Sequence, residues 1–436
     1  MPRAWRRGKP PISGWVQEQT EIVEDSLRKI PDTERLAAGI ASLASITDPE
    51  QPYTRRPFTE FFQKGRQWLQ GEMEAAGLKV RLDAAGNLVG WQAGRETLPP
   101  LMIGSHTDTV AGGGRFDGVI GIIGGVEVVR CFNEVGINLR HPLEGVEFLA
   151  EEPTDFGVST VGSRGMVGAL SPELLDKTNE QRPPLSEALT ELGGCPEKVP
   201  NEVRQRGDIA AYLEMHIEQG PILDQEGIPL AAVTGIAGIR RFTVTIAGEP
   251  NHAGTTPMEL RRDALVVASR FVIESELIFR SEEDSVGTVG YLQISPNMAN
   301  VVPGLAELIV EMRSIDPGII ARIDERLRQK AAEIAEERGI PIRMDPLTDA
   351  SPVQADPRLI EITTQACRQT DPRALVLPSG AGHDATQVGT IAPIGMIFVP
   401  SRSGISHNPA EWTDSEDIAL GVQALARALV LADETF

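Results

Sequence analysis

Strand-like apolar segments alternate with helix-like segments in the first half of the chain, and this alternation limits the fold more than any other sequence feature. KVRLDAAGNLVGWQAG (79–94) and LPPLMIGSHTDTV (98–110) are strand-like, GVIGIIGGVEVVRCFNEVGI (118–137) is helical, and PLEGVEFLAEEP (142–153) is again a strand. This order predicts an α/β sheet with crossover helices. Ligand sites of such sheets lie at the carboxyl ends of strands, which is where histidines and acids of these segments fall.

The texture of the sequence changes near residue 235. Three alternating strand patterns, beginning with IRRFTVTIAG, are interleaved with two helical patterns, DALVVASRFVIESELIFR and IIARIDERLRQKAAEIAEERG. That order predicts a two-layer α+β unit. The α/β alternation returns from about residue 347. We therefore predict a discontinuous catalytic domain, 1–235 and 347–436, with residues 236–346 inserted as a lid. The basic, proline-containing residues 1–14 are expected to form a disordered arm.

The charge balance excludes one large class of function. The 436 residues include 41 Lys+Arg and 62 Asp+Glu, a formal net charge of −21, which is the wrong sign for neutralising phosphates. We expect no nucleic-acid partner. No apolar run reaches the length of a membrane span, so no membrane partner is expected either. Three cysteines without a close pair fit no disulfide framework and indicate a reducing cytoplasm.

Histidines are few, and most of them stand in polar surroundings. Five lie in loops rich in glycine or acids, which is not where core histidines collect. His141, which precedes Pro142 in a connecting segment, is instead expected at the surface. The five are His106, His216, His252, His383 and His407.

Two of the polar loops combine a histidine or an acid with a strand end or a helix start. In GSHTDTV, His106 follows a strand and Asp108 lies two residues on, a spacing that suits a metal-binding imidazole whose second nitrogen is held by a carboxylate. A hydrogen-bonded loop histidine is the alternative. In GGGRFDGVIG, Asp117 lies where a carboxylate can reach two cations, although an acid there also suits a helix N-cap.

Three further segments add acids and imidazoles. FLAEEPTDFG ends a strand with Glu151 and Glu152, which can divide labour as a proton acceptor and a metal ligand, or can be solvated loop acids. YLEMHIEQG contributes His216, and SRSGISHNPAEW contributes His407, followed by Glu411.

Together these residues form a nitrogen and oxygen ligand set without thiolates. Such a set suits two borderline divalent ions that share one carboxylate, and zinc, manganese, cobalt and nickel all tolerate it. Nucleotide binding by the glycine-rich loop is rejected, because neither Gly-Lys-Ser/Thr nor Gly-x-Gly-x-x-Gly occurs there. The set is His106, Asp117, Glu152, His216 and His407.

The motifs as a whole resemble one enzyme family. GSHTDTV, GGGRFDGVIG, AEEPTDFG, VGSRGM, EMHIEQGPIL, GEPNHAGTTPM, PNMANVVPG, SGAGHDA and SGISHNPAE are similar, in this order, to the amidase/hydantoinase/carbamoylase family of dinuclear metal hydrolases. The resemblance runs from about residue 57 to residue 430. It implies a metallopeptidase-like catalytic domain with a mixed sheet flanked by helices, and a homodimer formed through the lid. Members include N-carbamoyl-L-amino-acid hydrolases, β-ureidopropionases and allantoate amidohydrolases.

The resemblance also implies roles for individual residues. Glu151 would be the general base that deprotonates a metal-bridging water, and Asp108 would orient His106. His252 would reach the active site of the partner subunit and stabilise an oxyanion, while Asn300 and Arg313 would grip a substrate carboxylate. The pocket would be completed by Gln219, Gly380 and Ala381. The implied metal ligands are His106, Asp117 and His216 for one ion and Asp117, Glu152 and His407 for the other.

These roles favour a cytoplasmic amidohydrolase that cleaves the ureido C–N bond of small N-carbamoyl-L-amino acids with a free carboxylate, giving the amino acid, carbon dioxide and ammonia. Allantoate amidohydrolase is a close alternative. An aminoacylase or dipeptidase would use the same metals and base on an ordinary amide. A metal-dependent binding module without catalysis is the remaining alternative, against which Glu151 beside Glu152 argues.

Overall fold

A computed structural model of the chain describes residues 25–179 and 182–436. The predicted arm, residues 1–14, lies outside the described residues. The chain divides into two compact units. Unit 1 comprises the described residues up to Val233 together with Asp356–Leu377 and His383–Phe436, and unit 2 comprises Thr234–Ala355 and Pro378–Gly382.

The described residues form strands and helices in the following chain order. The strands are β1 (Lys79–Leu82), β2 (Leu88–Gln92), β3 (Leu101–His106), β4 (Leu143–Phe148), β5 (Ala211–Ile217), β6 (Ala231–Ile236), β7 (Gly238–Ala247), β8 (Asn251–His252), β9 (Ser285–Ser295), β10 (Val301–Val302), β11 (Leu305–Ser314), β12 (Ile342–Ala350), β13 (Val353–Gln354), β14 (Leu375–Ser379) and β15 (Ile394–Val399). The helices are α1 (Thr33–Ser45), α2 (Glu60–Ala75), α3 (Val119–Val135), α4 (Val161–Met166), α5 (Pro172–Leu175), α6 (Leu185–Glu191), α7 (Ile222–Glu226), α8 (Ala264–Arg280), α9 (Pro317–Arg338), α10 (Pro357–Thr370), α11 (Ala385–Val388) and α12 (Ser415–Thr435).

Unit 1 is built on a mixed sheet. Its strands follow the order β1-β2-β4-β3-β5-β15-β6, in which β4, β3, β5 and β15 run parallel and β1, β2 and β6 pair antiparallel with their neighbours. Every residue of the four parallel strands is buried, as expected for a sheet covered on both faces. The predicted α/β class with a mixed sheet flanked by helices is confirmed.

Helix α3 lies in the core of unit 1 and closely approaches β5. Thirteen of its residues are buried, and its apolar side chains share one core cluster with those of α1, α10 and α12. A side chain at Gly121 would place its Cβ 2.4 Å from the carbonyl oxygen of Met215. The glycines of GVIGIIGG therefore allow the helix to approach the strand that carries His216.

Unit 2 has two layers. A four-stranded antiparallel sheet, in the order β12-β7-β11-β9, packs through Val244, Leu308 and Val310 in one apolar core with residues of α8 and α9, such as Phe271 and Ile323. This is the predicted α+β arrangement. The unit extends beyond the predicted 236–346, because β12 runs on to Ala350 and β13 then pairs with the end of β6.

The prediction for His141 is wrong. Only 2% of His141 is exposed. Its backbone N–H donates to Asp433 Oδ1 at 2.8 Å, and its Nδ1 lies 2.6 Å from the carbonyl oxygen of Pro99. A long-range contact with α12, which the local sequence does not reveal, covers this segment.

The structure bears on two further features of the sequence, the absence of long apolar runs and the three cysteines. Among the described residues, no helix is long and apolar enough to cross a membrane. Cys131, Cys195 and Cys367 are free thiols.

Candidate metal centre

The polar residues predicted from separate motifs meet at one edge of the unit 1 sheet. His106 is the last residue of β3, Glu151 and Glu152 follow β4, His216 is the penultimate residue of β5, and His407 follows β15. These four strands are parallel neighbours, so their carboxyl ends lie side by side. The fold therefore collects residues that are about 300 positions apart in the chain.

Asp117 is the centre of this group. Its Oδ1 lies 3.2 Å from His216 Nε2 and 3.5 Å from His106 Nε2, and its Oδ2 lies 3.3 Å from His407 Nε2. His407 Nε2 also lies 3.0 Å from an oxygen of Glu152. One carboxylate thus faces three imidazoles, with its two oxygens turned to different partners.

Three sets of side chains bring their ligand atoms within 4.8 Å of one another. Asp117 is the one residue that the two sets containing His106 and His407 have in common. The sets are His106, Asp117 and His216; Asp117, Glu152 and His407; and Glu214, His216 and His383.

Backbone carbonyls fix the hydrogens of two imidazoles. His106 Nδ1 lies 3.0 Å from the carbonyl oxygen of Asp108, and His216 Nδ1 lies 2.9 Å from that of Ile217. A carbonyl can only accept, so each Nδ1 carries a hydrogen, and a ring that gives up its other proton to bind a metal has its lone pair on Nε2. Both Nε2 atoms face Asp117, the geometry required of metal ligands.

The side chain of Asp108 contacts both His106 and the loop after β4. Its carboxylate oxygen is 3.7 Å from His106 Nδ1, whereas its two oxygens accept the backbone N–H groups of Glu151 at 3.2 Å and of Glu152 at 3.0 Å. The main chain of Asp108 orients the imidazole, and its side chain anchors the two acids. Sequence spacing predicts a contact with His106 but not the one across to the next strand.

The carboxyl groups of the cluster have pKa values that are shifted in different directions by burial and by neighbouring charges. Burial raises the pKa of Asp108 to about 7, although His106 lowers it. Burial likewise raises the pKa of Glu151 well above its ordinary value, opposed by His106 and reinforced by Glu152. The pKa of Asp117 is well below its ordinary value, because hydrogen bonds and charge from the imidazoles outweigh its burial.

The donors present fit divalent metal ions. Buried carboxylates repel one another unless a positive charge compensates them, and bound cations supply that charge. Imidazole nitrogens and carboxylate oxygens without a thiolate suit zinc, manganese, cobalt or nickel. Among the described residues, buried Oε1 of Gln219 and Oδ2 of Asp384 have no hydrogen-bond partner, so polar capacity remains in this region.

Three side chains outside the proposed ligand set hold Asp117 in place. Gln219 Nε2 donates to Asp117 Oδ2 at 2.7 Å, and Ser406 Oγ is 2.8 Å from the same oxygen. Glu411 accepts the backbone N–H groups of Phe116 at 2.9 Å and of Asp117 at 3.2 Å. Gln219, predicted as a substrate ligand, thus contacts a metal-site carboxylate. Glu411 carried no sequence signal beyond its nearness to His407.

The alternative that Asp117 caps a helix is wrong. Helix α3 begins at Val119, its N-cap is Gly118, and no side chain caps it. Gly118 has φ 66°, and a Cβ at this position would lie 2.4 Å from atoms of the His106 ring. The first glycine of RFDGVIG, Gly118, is therefore needed for both its backbone conformation and its lack of a side chain.

Arg55 supports the strand end that carries His106. This residue is 2% exposed, and its guanidinium donates to the carbonyl oxygens of Thr107 at 2.7 Å, Leu43 at 2.9 Å and Ile46 at 3.1 Å. Arg55 thus links α1 and the residue after it to Thr107, the residue that follows His106.

His383 and Asp384, to which sequence reasoning assigned no role, lie in the same region. The His383 ring packs edge-on against His216 with 4.5 Å between centroids. Burial lowers the pKa of His383 well below its ordinary value, which keeps the ring neutral. Asp384 Oδ1 accepts a hydrogen bond from Ser163 Oγ at 2.6 Å.

Unit 2 presents His252 on an exposed turn. Strand β8, which contains His252, pairs with β10, and Nδ1 of the ring accepts the N–H of Gly254 at 3.0 Å. The neutral ring therefore carries its hydrogen on Nε2 and can donate there. Asn300 accepts the N–H of Ala253 through its carbonyl at 2.9 Å, which leaves its exposed side chain to other partners.

Arg313 is anchored within unit 2. Its Nη1 donates to the carbonyl oxygen of Gly380 at 2.8 Å, and its Nε donates to Glu311 Oε1 at 2.7 Å. The N–H of Ala381 donates to Ser379 Oγ at 3.2 Å. Of the predicted substrate-binding groups, the carbonyl of Gly380 thus already has a partner in the arginine.

Comparison with known proteins agrees with this architecture. The profile of peptidase family M20/M25/M40 matches residues 102–430. The chain is 39% identical to an N-carbamoyl-L-amino acid amidohydrolase of Geobacillus stearothermophilus over 90% of this chain and 96% of that protein. It is 36% identical to an allantoate amidohydrolase of Escherichia coli K12, over 88% and 93% respectively.

A solved structure extends the likeness to three dimensions. An amidase of the hydantoinase/carbamoylase family from Burkholderia multivorans superposes with a TM-score of 0.86 at 34% identity, covering 92% of this chain and 98% of that one. The chain therefore belongs to the M20/M25/M40 peptidase family, among its hydantoinase/carbamoylase-type amidohydrolases. It is a hydrolase of C–N bonds other than peptide bonds.

Proposed function

We propose that this enzyme hydrolyses the ureido C–N bond of small N-carbamoyl-L-amino acids that carry a free carboxylate. Water adds to the ureido carbonyl, the bond to the amino-acid nitrogen breaks, and the carbamate released decomposes to carbon dioxide and ammonia. The observation that carries the proposal is the position of Asp117, which faces His106, His216 and His407 beside the carboxylates of Glu151 and Glu152.

Two divalent ions are part of the proposal. Zinc is the first choice, with manganese, cobalt and nickel as alternatives that the donor set accommodates. Such ions, when bound, supply Lewis-acid charge that polarises a carbonyl and makes water more acidic. The residues that would hold them are His106, Asp117 and His216 for one ion, and Asp117, Glu152 and His407 for the other.

Glu151 is the proposed general base. Its carboxylate oxygen lies 3.7 Å from His106 Nε2 with 12% of the side chain exposed, and its backbone is anchored by Asp108. A carboxyl whose pKa is raised by burial is a better proton acceptor near neutral pH than an ordinary glutamate. Glu151 takes a proton from the attacking water and then gives it to the leaving nitrogen.

His252 is the proposed oxyanion donor, acting in the active site of a second copy of the chain. The Gly254 N–H occupies Nδ1, so the donor is Nε2–H. Loss of one such donor typically removes about 3 kcal/mol of transition-state stabilisation. The side chains of Asn300 and Arg313 bind the substrate carboxylate, and Gln219, Gly380 and Ala381 complete the pocket.

The surface of unit 2 supports the proposed homodimer. Val266, Ile273 and Leu277 on α8 are 46%, 60% and 58% exposed, and they lie on one stripe of the helix. Strand β9 is an edge strand of its sheet, and it exposes Val286 and Tyr291. An apolar stripe beside an open strand edge suits a second copy of the same surface.

Light scattering after size-exclusion chromatography tests the homodimer. Ile273→Asp places a charge in the stripe and should give monomers. Leu347→Asp on β12, at the opposite edge of the sheet and 54% exposed, should leave the dimer intact. Monomeric parent protein, or dimeric Ile273→Asp, would refute this interface.

Hydrolysis of a substrate panel tests the catalytic proposal. The panel contains N-carbamoyl-L-amino acids, allantoate, N-acetyl-L-amino acids and dipeptides, with chelator-treated and Glu151→Gln enzyme as controls. Metal-dependent turnover of the carbamoyl set, lost in both controls, is expected. Turnover confined to allantoate would transfer the same site to the activity named for the Escherichia coli relative, and retained turnover by Glu151→Gln would refute the assigned base.

A further inference from the structure

Glu311 lies between two arginines on the sheet of unit 2. It stands two residues before Arg313 on β11, so both side chains are on the same face of the strand. It also pairs directly across from Arg241 on β7. Glu311 Oε1 accepts from Arg313 Nε at 2.7 Å, while Oε2 accepts from Arg241 Nε. Each oxygen of the carboxylate therefore has its own guanidinium.

The contacts of Arg313 restrict what remains available for a ligand. A guanidinium has five N–H groups in one plane. Glu311 takes the one on Nε, and the carbonyl of Gly380 takes one on Nη1. Among the described residues, no hydrogen-bond partner is found for Nη2. The edge formed by Nη1 and Nη2 thus keeps three hydrogens, and two anchors define its plane.

A cross-strand ion pair alone does not account for this arrangement. Pairing between Glu311 and Arg241 would already provide the cross-strand contact. An ion pair whose side chains are 37% and 21% exposed adds little stability. The carboxylate nevertheless turns its second oxygen to Arg313, whose side chain is 26% exposed, on the side opposite to the free edge. The arrangement is that of a brace for one orientation of Arg313.

We propose that Glu311 is the positioning residue that holds Arg313 for end-on, two-point binding of the substrate carboxylate through Nη1 and Nη2. This rests on the proposed function, in which Arg313 is the carboxylate ligand. A bidentate arginine gains affinity only when its plane is fixed relative to the ligand. Glu311 does not touch the substrate, so its loss affects binding of the carboxylate rather than the hydrolytic step.

The charge on Glu311 agrees with this role. Burial raises its pKa, but the hydrogen bonds from Arg313 and Arg241 outweigh burial and bring the pKa below its ordinary value. The carboxylate is therefore ionised over the range in which the substrate carboxylate is ionised as well. Arg241 contributes by holding the second oxygen, and it keeps Glu311 from rotating away from Arg313.

Steady-state kinetics of the metal-loaded enzyme test the proposal. Glu311→Gln should raise KM for an N-carbamoyl-L-amino acid about tenfold while kcat changes by less than about twofold. The matched control is Glu307→Gln, four residues earlier on the same face of β11 and in no ion pair among the described residues, which should leave both constants unchanged. In an Arg313→Gln background, Glu311→Gln should have no further effect on KM, since it acts through Arg313.

Several outcomes would overturn the proposal. A fall in kcat at unchanged KM, or an equal rise in KM with and without Arg313, would give Glu311 another role. Melting curves of all variants identify a folding defect, and in that case Glu311→Asp, which keeps the charge, should restore part of the affinity.

Failure of the proposed function can be distinguished from failure of the positioning role of Glu311. A parent enzyme inactive on carbamoyl substrates refutes that function, and equilibrium binding of a free L-amino acid then decides on Glu311. Equal affinities of Glu311→Gln and Glu307→Gln would refute the positioning role, whereas weaker binding by Glu311→Gln alone would support it.

Discussion

Asp108 holds the backbone of Glu152 more closely than it approaches the ring of His106. Its Oδ2 accepts the Glu152 N–H at 3.0 Å, whereas its Oδ1 is 3.7 Å from His106 Nδ1. One buried carboxylate thereby fixes the loop that presents both the proposed base and a proposed metal ligand.

Asp108→Asn should weaken metal binding and catalysis together. The backbone N–H groups of Glu151 and Glu152 donate to the two oxygens of the Asp108 carboxylate. In the asparagine variant the NH₂ would face one of these N–H groups, and two donors repel each other. Changes behind metal ligands typically reduce affinity or activity 10- to 100-fold, so we expect losses of about that size in a metal titration and in kcat. Unchanged metal affinity would contradict the anchoring role.

Alanine substitutions at the two ends of α3 should have unequal effects. Gly136 is in the left-handed region with φ 77° and ψ 22°, where an alanine strains the backbone by about 1 kcal/mol. Gly118, with φ 66° and ψ −41°, lies outside that region, so an alanine is strained more there. Only at Gly118 does the added Cβ meet a side chain, the His106 ring at 2.4 Å; around Gly136 nothing lies within 4 Å. Gly118→Ala should therefore lose metal affinity in calorimetric titration while Gly136→Ala keeps it. Equal affinities would show that the His106 ring can move aside.

Two adjacent arginines should differ in their contribution to folding. Arg55→Lys leaves at least one of three buried carbonyls poorly satisfied and should lower the free energy of unfolding by about 2 kcal/mol. Arg56, which is 29% exposed and pairs with Asp155, should tolerate lysine with less than about 1 kcal/mol lost. Urea denaturation measures both, and a smaller loss for Arg55→Lys than for Arg56→Lys would refute the difference.

The metal-free protein should lose stability as pH rises. The pKa of Asp108 is raised from 3.8 to about 7 in the folded state, so the folded state binds more protons than the unfolded state between these values, and stability falls across that interval. Hydrogen bonds to Asp117 and Glu152 raise the pKa of His407 to about 10; its stabilising effect, complete below 6.5, is lost as pH rises toward 10.

The stabilisation by added metal should accordingly be larger at pH 8 than at pH 5.5, since an ion must displace the proton that His407 holds at the lower pH. Melting temperatures with zinc or manganese and with a chelator, taken at both pH values, measure it. A metal effect that is the same at both pH values would contradict the pKa shifts assigned to Asp108 and His407.

The strand ends and the approximate site were accessible from sequence because each motif follows its own strand. GSHTDTV runs through the end of β3, and FLAEEP begins at the last residue of β4. The order of the strands alone brings such ends together. The contacts that refine the site were not accessible, because they join distant segments. Glu411 accepts the N–H of Asp117 from 294 positions away, and a single sequence carries no record of that pairing.

The prediction that His141 is exposed failed for a related reason. Its neighbours along the chain are polar or proline, which favours exposure, but Asp433 of α12 binds its backbone. The hydrogen bond from Arg313 to the carbonyl of Gly380 likewise joins residues that are 67 positions apart in the chain. Residues whose environment is set by local pattern were predictable, whereas those buried by a remote helix or loop were not.

The position of His407 sets an order of events during biosynthesis. The first imidazole of the centre is at residue 106 and the last at residue 407, with unit 2 encoded between them. A growing chain whose N-terminal part collapses early therefore holds a partly assembled cluster of acids until the segment after β15 has been translated. The second proposed ligand set, Asp117, Glu152 and His407, is complete only after that segment has emerged from the ribosome. Loading of the proposed two-ion centre is therefore expected among the last steps of maturation.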